Sequence, residues 1–426
     1  MKRKLTLCIL LSGMLLSLAA CSKKDNNEDA AQSETIETPT PEDSADQSAD
    51  EDTLNEPLTM EEEMIAKSLL AEGNNYRLKK VIEKARNGED VTLAFIGGSI
   101  TEGYNAGTKE IYAKLVYDFF NENYGTGDNV HYVNAGLSGT PSSLGLLRSD
   151  RDIFAHEPDL IFIEFAVNDG NSIVDSTGYE SLVYKSLSQE NDPAVILLMS
   201  VIESGYTCQD NMNLVGFNYD LTRISVKNAI WEYIENGDIT WDDWSKDESH
   251  PNEWGQYMYA QFIIDAIKKA DAAEYDKEYV LKDTMAKGKG FNHTGLIMID
   301  RSMNMDAITL DSIGSFSEQG DLTSFNDGWK YTGTLTENEA FKFTYTGKAL
   351  YLAYKDTNSI KYGTAEIYVD GEYVMSIYAN SSDGWGNPVT EWLMRENESA
   401  THTVEIRMAE DSLEKEFAIL ALGVVP

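Results

Sequence analysis

A serine in the sequence context of a nucleophile lies in the stretch "VTLAFIGGSITEG", residues 91–103. Residues 91–96 are mostly apolar, which predicts a buried strand, and Gly97 and Gly98 end that strand abruptly. Ser99 therefore follows a strand end. In open α/β sheets the carboxyl ends of the strands form the edge where ligands bind, and glycines there permit a sharp turn or a close approach of the backbone.

A serine hydroxyl is a weak nucleophile at neutral pH and needs a nearby base that is itself oriented by a third group. Of the five histidines in the chain, only His250 has a carboxylate close by in sequence and a position after the last predicted strand. Asp247 lies three residues earlier, on the same tight turn before a helix that begins near Asn252. Asp247 can therefore hold one imidazole nitrogen while the other faces Ser99. Such a set predicts acyl transfer to water from an ester or thioester.

Two further polar stretches, "VNAGLSGT" (133–140) and "EFAVNDG" (164–170), fall at the carboxyl ends of predicted strands. Together with "GGSIT" and "DESH", and in this order, they resemble the successive blocks of the SGNH (GDSL-like) hydrolase superfamily. The resemblance covers most of residues 90–265. One departure is Gly98, which stands where the nucleophile block of the family usually has Asp. All four residues for which the superfamily is named are nevertheless in place.

The resemblance implies a role for each matching residue. Ser99 would be the nucleophile, and Asp247 and His250 would complete its triad. The backbone N–H groups of Ser99 and Gly139 and the side-chain amide of Asn168 would form the oxyanion hole, which stabilises the tetrahedral intermediate. A missing Cβ at Gly139 would let the substrate carbonyl approach. The implied enzyme is a serine ester hydrolase.

The residues around Ser99 exclude other kinds of glycine-rich site. A Walker loop needs a lysine directly before the serine, and none precedes Ser99. The dinucleotide fingerprint needs a third glycine in register, and the Gly-x-Ser-x-Gly elbow is absent because residue 101 is Thr. No cluster of His, Cys and carboxylate residues has metal-ligand spacing. We therefore expect no metal and no other cofactor.

The pattern of residues from about 59 to 290 predicts a three-layer α/β domain, and the resemblance implies the flavodoxin-like sheet of the SGNH fold. Thr59 and Glu62 have capping-box spacing at the start of the first helix. After the 91–96 strand, nearly uniform apolar strands alternate with amphipathic helices, which indicates a parallel sheet covered on both faces. The further strands are "NVHYVNA", "DLIFIEFA" and "AVILLMSVI", and the helices lie near 107–122, 141–155, 177–189, 218–235 and 252–270.

From about residue 291 to 426 the pattern changes to short alternating runs, such as "FKFTYTG", "ALYLAYK" and "THTVEIRM". Asp370-Gly371 between two such runs is a strong hairpin signal. These features predict a β-sandwich whose general sequence pattern, but no specific motif, is similar to that of carbohydrate-binding jelly rolls. A chain of 426 residues is long enough for two such folded domains.

The N-terminus predicts export and a lipid anchor. "MKRK" and the apolar run after it have the pattern of a signal peptide, residues 1–20, and "LAAC" resembles a bacterial lipobox in which Cys21 becomes lipid-modified. Residues 21–58 predict a disordered tether, since 22–57 hold twelve acidic residues against two lysines. We therefore expect a protein tethered to a bacterial membrane at the cell surface. The alternative is ordinary secretion, in which the cysteine at position 21 is incidental and carries no lipid.

The substrate class follows from the resemblance and the expected location. Two-domain bacterial SGNH proteins look like carbohydrate esterases that deacetylate xylan, mannan or related glycans. Trp385 and Trp244 are candidate sugar contacts, with Trp241 and Trp254 beside the latter. Packing against its own loop explains Trp385 at least as well, and helix packing also explains Trp254. A net charge of −38 argues against a nucleic-acid partner, and the expected assembly is a monomer. A lipase, a lysophospholipase, an O-acetyltransferase and an inactive glycan-binding protein remain alternatives.

Overall fold

The computed structural model describes residues 57–106, 111–288, 292–333 and 338–426, and Pro57–Pro426 forms one compact unit. The predicted signal peptide, Cys21 and the tether up to residue 56 lie outside the described residues. Within the described ranges, every helix is too short or too polar to cross a membrane.

The N-terminal part is a three-layer α/β structure, as predicted. Its six-stranded sheet has the order β1-β6-β5-β4-β2-β3, in which β2 to β6 are parallel and β1 is antiparallel to β6. The strands are β1 (Leu69–Ala71), β2 (Val91–Gly97), β3 (Val130–Gly136), β4 (Leu160–Glu164), β5 (Ala194–Met199) and β6 (Thr222–Ser225). Every residue of β4 and β5 is buried, which explains why these strands are apolar throughout.

The first helix begins with a capping box, in which Thr59 and Glu62 each accept a hydrogen bond from the other's backbone N–H. The helices of this part connect the strands and cover the sheet. They are α1 (Met60–Ser68), α2 (Tyr76–Arg86), α3 (Ser99–Glu102), α4 (Tyr112–Tyr124), α5 (Ser142–Asp152), α6 (Ile173–Leu187), α7 (Gln209–Asn218), α8 (Val226–Asn236), α9 (Trp241–Trp244) and α10 (Glu253–Ala272).

One predicted helix, at 218–235, is partly wrong. That region contains the end of α7, then β6, then α8, whose N-cap Ser225 accepts a hydrogen bond from the backbone N–H of Asn228. The four residues of β6 are too few to show a strand period beside the helical pattern that follows. The same reason explains why β1, with three residues, is not visible in the sequence.

The C-terminal part is an antiparallel β-sandwich, as predicted. Its strands are β7 (Ile297–Ile299), β8 (Ile308–Ser312), β9 (Ser317–Glu318), β10 (Trp329–Tyr331), β11 (Phe341–Thr357), β12 (Thr364–Val369), β13 (Glu372–Tyr378), β14 (Trp385–Met408) and β15 (Phe417–Val425). Asp370 and Gly371 form the expected hairpin turn between β12 and β13, both with positive φ. The two runs expected as separate strands form one, β11, whose register with β14 shifts between Gly347 and Ala349.

Helix α5 lies between the parallel sheet and the sandwich. Its first eight residues are all buried, and the apolar core cluster that contains its leucines also contains β15 residues. Gly423 of β15 approaches Leu147 so closely that a Cβ would lie 2.6 Å from the leucine Cδ1 atom. This packing brings loops of the sandwich to the carboxyl edge of the parallel sheet.

Candidate active site

The predicted site residues lie together at one point of the parallel sheet. At this point the loops that follow neighbouring strands leave the sheet in different directions. Strand β2 lies between β3 and β4, and Ser99, Gly139 and Asn168 lie beyond the carboxyl ends of these three strands. Such a switch point is the usual ligand site of open α/β sheets, because the loops turn away from each other and leave a crevice.

The two glycines before Ser99 are required by close packing. A Cβ on Gly97 would lie 2.1 Å from the hydroxyl oxygen of Thr101, and one on Gly98 would lie 2.1 Å from the side-chain oxygen of Asn168. A side chain at residue 97 would therefore collide with Thr101, and one at residue 98 would push Asn168 away from residues 97–102, the predicted nucleophile turn. The glycine pair places Ser99 at the start of the short helix α3, directly beside the asparagine.

Ser99, His250 and Asp247 form a continuous hydrogen-bonded chain. The His250 Nε2 atom lies 2.9 Å from Ser99 Oγ, and the Nδ1 atom lies 2.8 Å from Asp247 Oδ2. The catalytic turn, defined here as residues 245–251, is closed by the Ser245 hydroxyl, which donates to the backbone carbonyls of Asp247 and His250. This geometry permits the imidazole to take the serine proton while the carboxylate holds the ring orientation.

Asp247 is held in its ionised form. Partial burial acts to raise its pKa, but hydrogen bonds from the Ser249 N–H, the His250 ring, the His250 N–H and the Asn105 side-chain amide outweigh that effect and keep the pKa at about 2. The carboxylate therefore carries the negative charge that stabilises a protonated imidazole.

The Gly139 and Asn168 segments are each tied to neighbouring elements. Gly139 has a φ of +66°, and the preceding residue, Ser138, donates its backbone N–H to the Glu102 carboxylate at 2.8 Å. Asp169, next to Asn168, accepts a hydrogen bond of 2.7 Å from the Ser142 N–H at the start of α5. These bonds hold both segments close to the nucleophile turn before a substrate arrives.

A cavity of about 650 Å³ opens over these residues. It is lined by Ser99, Gly139, Asn168 and His250, and by Trp385 from the sandwich. The Trp385 indole ring lies on Gly139, where a Cβ would come within 2.7 Å of it, yet 60% of the residue is exposed. Trp385 therefore lines the cavity, and its contact with a sugar stays a prediction.

The prediction for Trp244 is wrong. This residue is only 1% exposed, and its ring packs against those of Trp254, Tyr259 and Phe262. It belongs to the core below α10 and cannot contact a sugar. Among the described residues Trp241 and Trp254 are likewise absent from the cavity wall: their indole N–H groups donate to the Asp247 carbonyl and the Glu61 carboxylate.

Sequence reasoning missed two parts of the cavity wall. Tyr104 lies at the mouth, 53% exposed, with its ring centroid 4.8 Å from that of His250. The segment from Leu322 to Ser324 comes from the loop between β9 and β10 of the sandwich. For Tyr104 the sequence holds one usable signal of a place near the site, its position five residues after Ser99. The place of Leu322–Ser324 in the cavity wall depends instead on packing between distant parts of the chain.

A buried carboxyl group, Glu164, lies under the nucleophile turn. The hydroxyl of Thr101 donates to its Oε2 atom at 3.0 Å, and the Thr101 and Tyr112 hydroxyls are 2.8 Å apart. Burial raises the pKa of Glu164, against the effect of its hydrogen bonds. Within the described ranges, no group of three His, Cys, Asp or Glu side chains is arranged to hold a metal ion.

Comparisons with known proteins find similar ester hydrolases. Residues 95–257 match the model of the GDSL-like lipase/acylhydrolase family. An arylesterase from Vibrio mimicus is 24% identical over 180 residues, which cover 42% of this chain and 88% of the relative.

The chain is also similar to two crystal structures of CEX, a two-domain esterase active on acetylated mannans. In the structure with mannopentaose, the identity is 25%, the TM-score is 0.73, and the match covers 84% of this chain and 97% of CEX. In the other structure the TM-score is 0.74 and the coverage is 84% and 98%. The likeness therefore extends over both the α/β part and the sandwich.

The raised pKa of Glu164 predicts a pH-dependent stability change for Glu164→Gln. Above about pH 4.3 the unfolded wild type loses this proton while the folded protein keeps it, so the wild type loses stability as pH rises toward the folded pKa. The glutamine variant lacks this loss. Its stability relative to wild type should rise by up to about 1.4 kcal/mol per pH unit in that range. Urea unfolding between pH 4.5 and 8 measures the difference.

Glu122→Gln, at an exposed position, is the matched control for the loss of a carboxyl group, and the Glu164→Gln difference is compared with it at each pH. A Glu164→Gln difference that is constant over the whole range would contradict a raised pKa of the buried Glu164 carboxyl.

Proposed function

We propose that this ester hydrolase, in which residues 95–257 match the model of the GDSL-like lipase/acylhydrolase family, removes acetyl groups from O-acetylated polysaccharides of the xylan or mannan type. Ser99 is the nucleophile in this proposal, His250 the general base and Asp247 its partner. The observation that carries the proposal is the 2.9 Å contact between His250 Nε2 and Ser99 Oγ, inside a cavity that also contains Gly139 and Asn168.

The proposed reaction has two steps. Ser99 Oγ attacks the acetyl carbonyl carbon as His250 Nε2 takes the hydroxyl proton, and the imidazolium returns that proton to the departing sugar oxygen. Water then attacks the acetyl-serine with the same base, which releases acetate and restores Ser99. In both steps the N–H groups of Ser99 and Gly139 and the Asn168 amide would stabilise the oxyanion, each worth about 3 kcal/mol.

Several features of the cavity support a sugar ester as substrate. Apolar side chains of Val167 and Ile202 line it and suit the acetyl methyl group, while the exposed indole of Trp385 offers a face on which a sugar ring can stack. The similarity to CEX, which acts on acetylated mannans, supports the same substrate class for this chain. The natural polymer would then contact both the α/β part and the sandwich.

We also propose a location for this activity. The "LAAC" motif supports lipid modification of Cys21, and the acidic residues after it support an extended tether. The enzyme would then act at the cell surface on polymers outside the membrane.

Variants of the three reacting residues test the mechanism. Ser99→Ala and His250→Ala should lower kcat for acetate esters by about 10⁶-fold. Asp247→Asn should lower it by about 10⁴-fold, because the asparagine holds the imidazole in the tautomer whose Nε2 atom already carries a proton and cannot accept that of Ser99. All three should melt as the wild type does. His131→Ala, an exposed histidine at the far end of β3, is the control and should keep full activity. Wild-type kcat in Ser99→Ala would disprove the nucleophile.

The acyl specificity separates the proposal from the lipase and lysophospholipase alternatives. Acetate release from acetylated xylan and mannan is measured beside p-nitrophenyl esters of increasing chain length. We expect acetate to be preferred and the polymers to be deacetylated. Faster cleavage of octanoate than acetate, with no release from either polymer, would reject the glycan substrate. Transfer of acetyl to an added sugar in preference to water would instead identify an acetyltransferase.

Trp385→Ala tests the contribution of the sandwich to substrate binding. Loss of a stacking face should raise KM for acetylated oligosaccharide by about tenfold, equivalent to about 1.4 kcal/mol, while KM for p-nitrophenyl acetate rises much less. Trp385→Phe should recover part of the affinity. Equal losses on both substrates in the alanine variant would mean that Trp385 only supports the Gly139 backbone.

A further inference from the structure

A second cavity, of about 500 Å³, adjoins the catalytic one. The two cavities share Leu137, Thr323 and Ser324 in their walls. The second is also lined by the edge strand β3 and by residues of α5. A chain-like ligand that leaves the catalytic cavity over this shared wall would therefore enter a second space of a volume typical for ligand sites.

The shared wall is a fixed part of the fold. Phe325, which follows Ser324, is completely buried, and its backbone N–H donates to the Leu322 carbonyl at 2.9 Å. The Arg151 guanidinium lies over the Phe325 ring, 5.0 Å from its centroid. These contacts attach the sandwich loop to α5, so the boundary between the two cavities is formed in the free protein.

The walls of the second cavity carry polar groups of both kinds. Arg151 and His156 supply nitrogen atoms, Asp152 and Asp327 supply carboxylate oxygens, and Asn326 has an amide. The carboxylate of Asp152 is itself held by Arg148 and Arg151, which fixes its position. The cations of Arg148 and Arg151 balance the anions of Asp152 and Asp327, which favours a neutral ligand over an ion. Such a mixture of donors and acceptors matches hydroxyl groups, which both donate and accept hydrogen bonds.

We propose that the second cavity binds the sugar units next to the acetylated one. The substrate then binds as an extended chain that crosses the Leu322–Asp327 loop, which lies between β9 and β10 and includes the wall shared by the two cavities. The inference rests on the proposed glycan esterase function and adds a binding site to it. The ligand class is a neutral oligosaccharide, held through its hydroxyl groups by His156 and Asp327. The reacting atoms remain in the first cavity, so this site affects binding of long substrates alone.

The test compares acetylated mono- and oligosaccharides on wild type and on His156→Ala/Asp327→Ala. In the wild type, kcat/KM should rise at least tenfold from the monosaccharide to a chain of four or five units. The double variant should raise KM for the longer chain about tenfold, the effect of losing about two hydrogen bonds, with kcat unchanged. Activity on p-nitrophenyl acetate and on the monosaccharide should stay at the wild-type level.

Asp90→Ala/His131→Ala is the matched control, since it removes an exposed Asp and His from the other end of the β3 edge. It should leave KM for every chain length unchanged. A wild-type KM for the longer chain in the His156/Asp327 variant would overturn the second site and leave the esterase function intact. Cleavage of p-nitrophenyl acetate by the wild type, without cleavage of any acetylated sugar, would overturn the glycan function and the second site together.

Discussion

The hydrogen bond between His250 Nε2 and Ser99 Oγ joins residues that are 151 positions apart in the chain. Its length depends on two rigid supports. On one side, Gly97 and Gly98 let the end of β2 turn against Asn168 without a steric clash. On the other, the catalytic turn is closed by a bridge between Ser245 and Pro251 before Asn252 caps α10. Both supports place polar side chains at the one edge of a parallel sheet where neighbouring loops separate.

The sandwich is part of the same site. Helix α5 packs on the parallel sheet and on β15, and this contact brings Trp385 and the Leu322–Asp327 loop over the carboxyl edge. In the proposed mechanism the α/β part supplies the reacting groups, whereas the sandwich supplies much of the cavity surface beyond them. Such a division lets the chemistry stay constant while the loops that contact a polymer vary. The coverage of CEX over both parts is consistent with this view.

The sequence predicted the parts of the fold whose signal is local. The apolar strand and glycines before Ser99, the Asp247 to His250 spacing and the Asp370-Gly371 turn each depend on a few neighbouring residues. The short strands β1 and β6 were missed because three or four residues show no period. Trp244 was misassigned because a tryptophan near a catalytic turn looks the same whether it faces solvent or the core. The Leu322–Ser324 segment and the second cavity depend on tertiary packing, which one sequence does not reveal.

The most direct test of the central claim is covalent labelling of the serine that the imidazole activates. The protein is incubated with a fluorophosphonate, which phosphonylates activated serines, and the modified residue is identified by peptide mass mapping. The structure predicts a single adduct, on Ser99, that forms rapidly in the wild type and far more slowly in His250→Ala. An adduct on another serine, or equal labelling rates in the two proteins, would contradict the proposed convergence of Ser99 and His250.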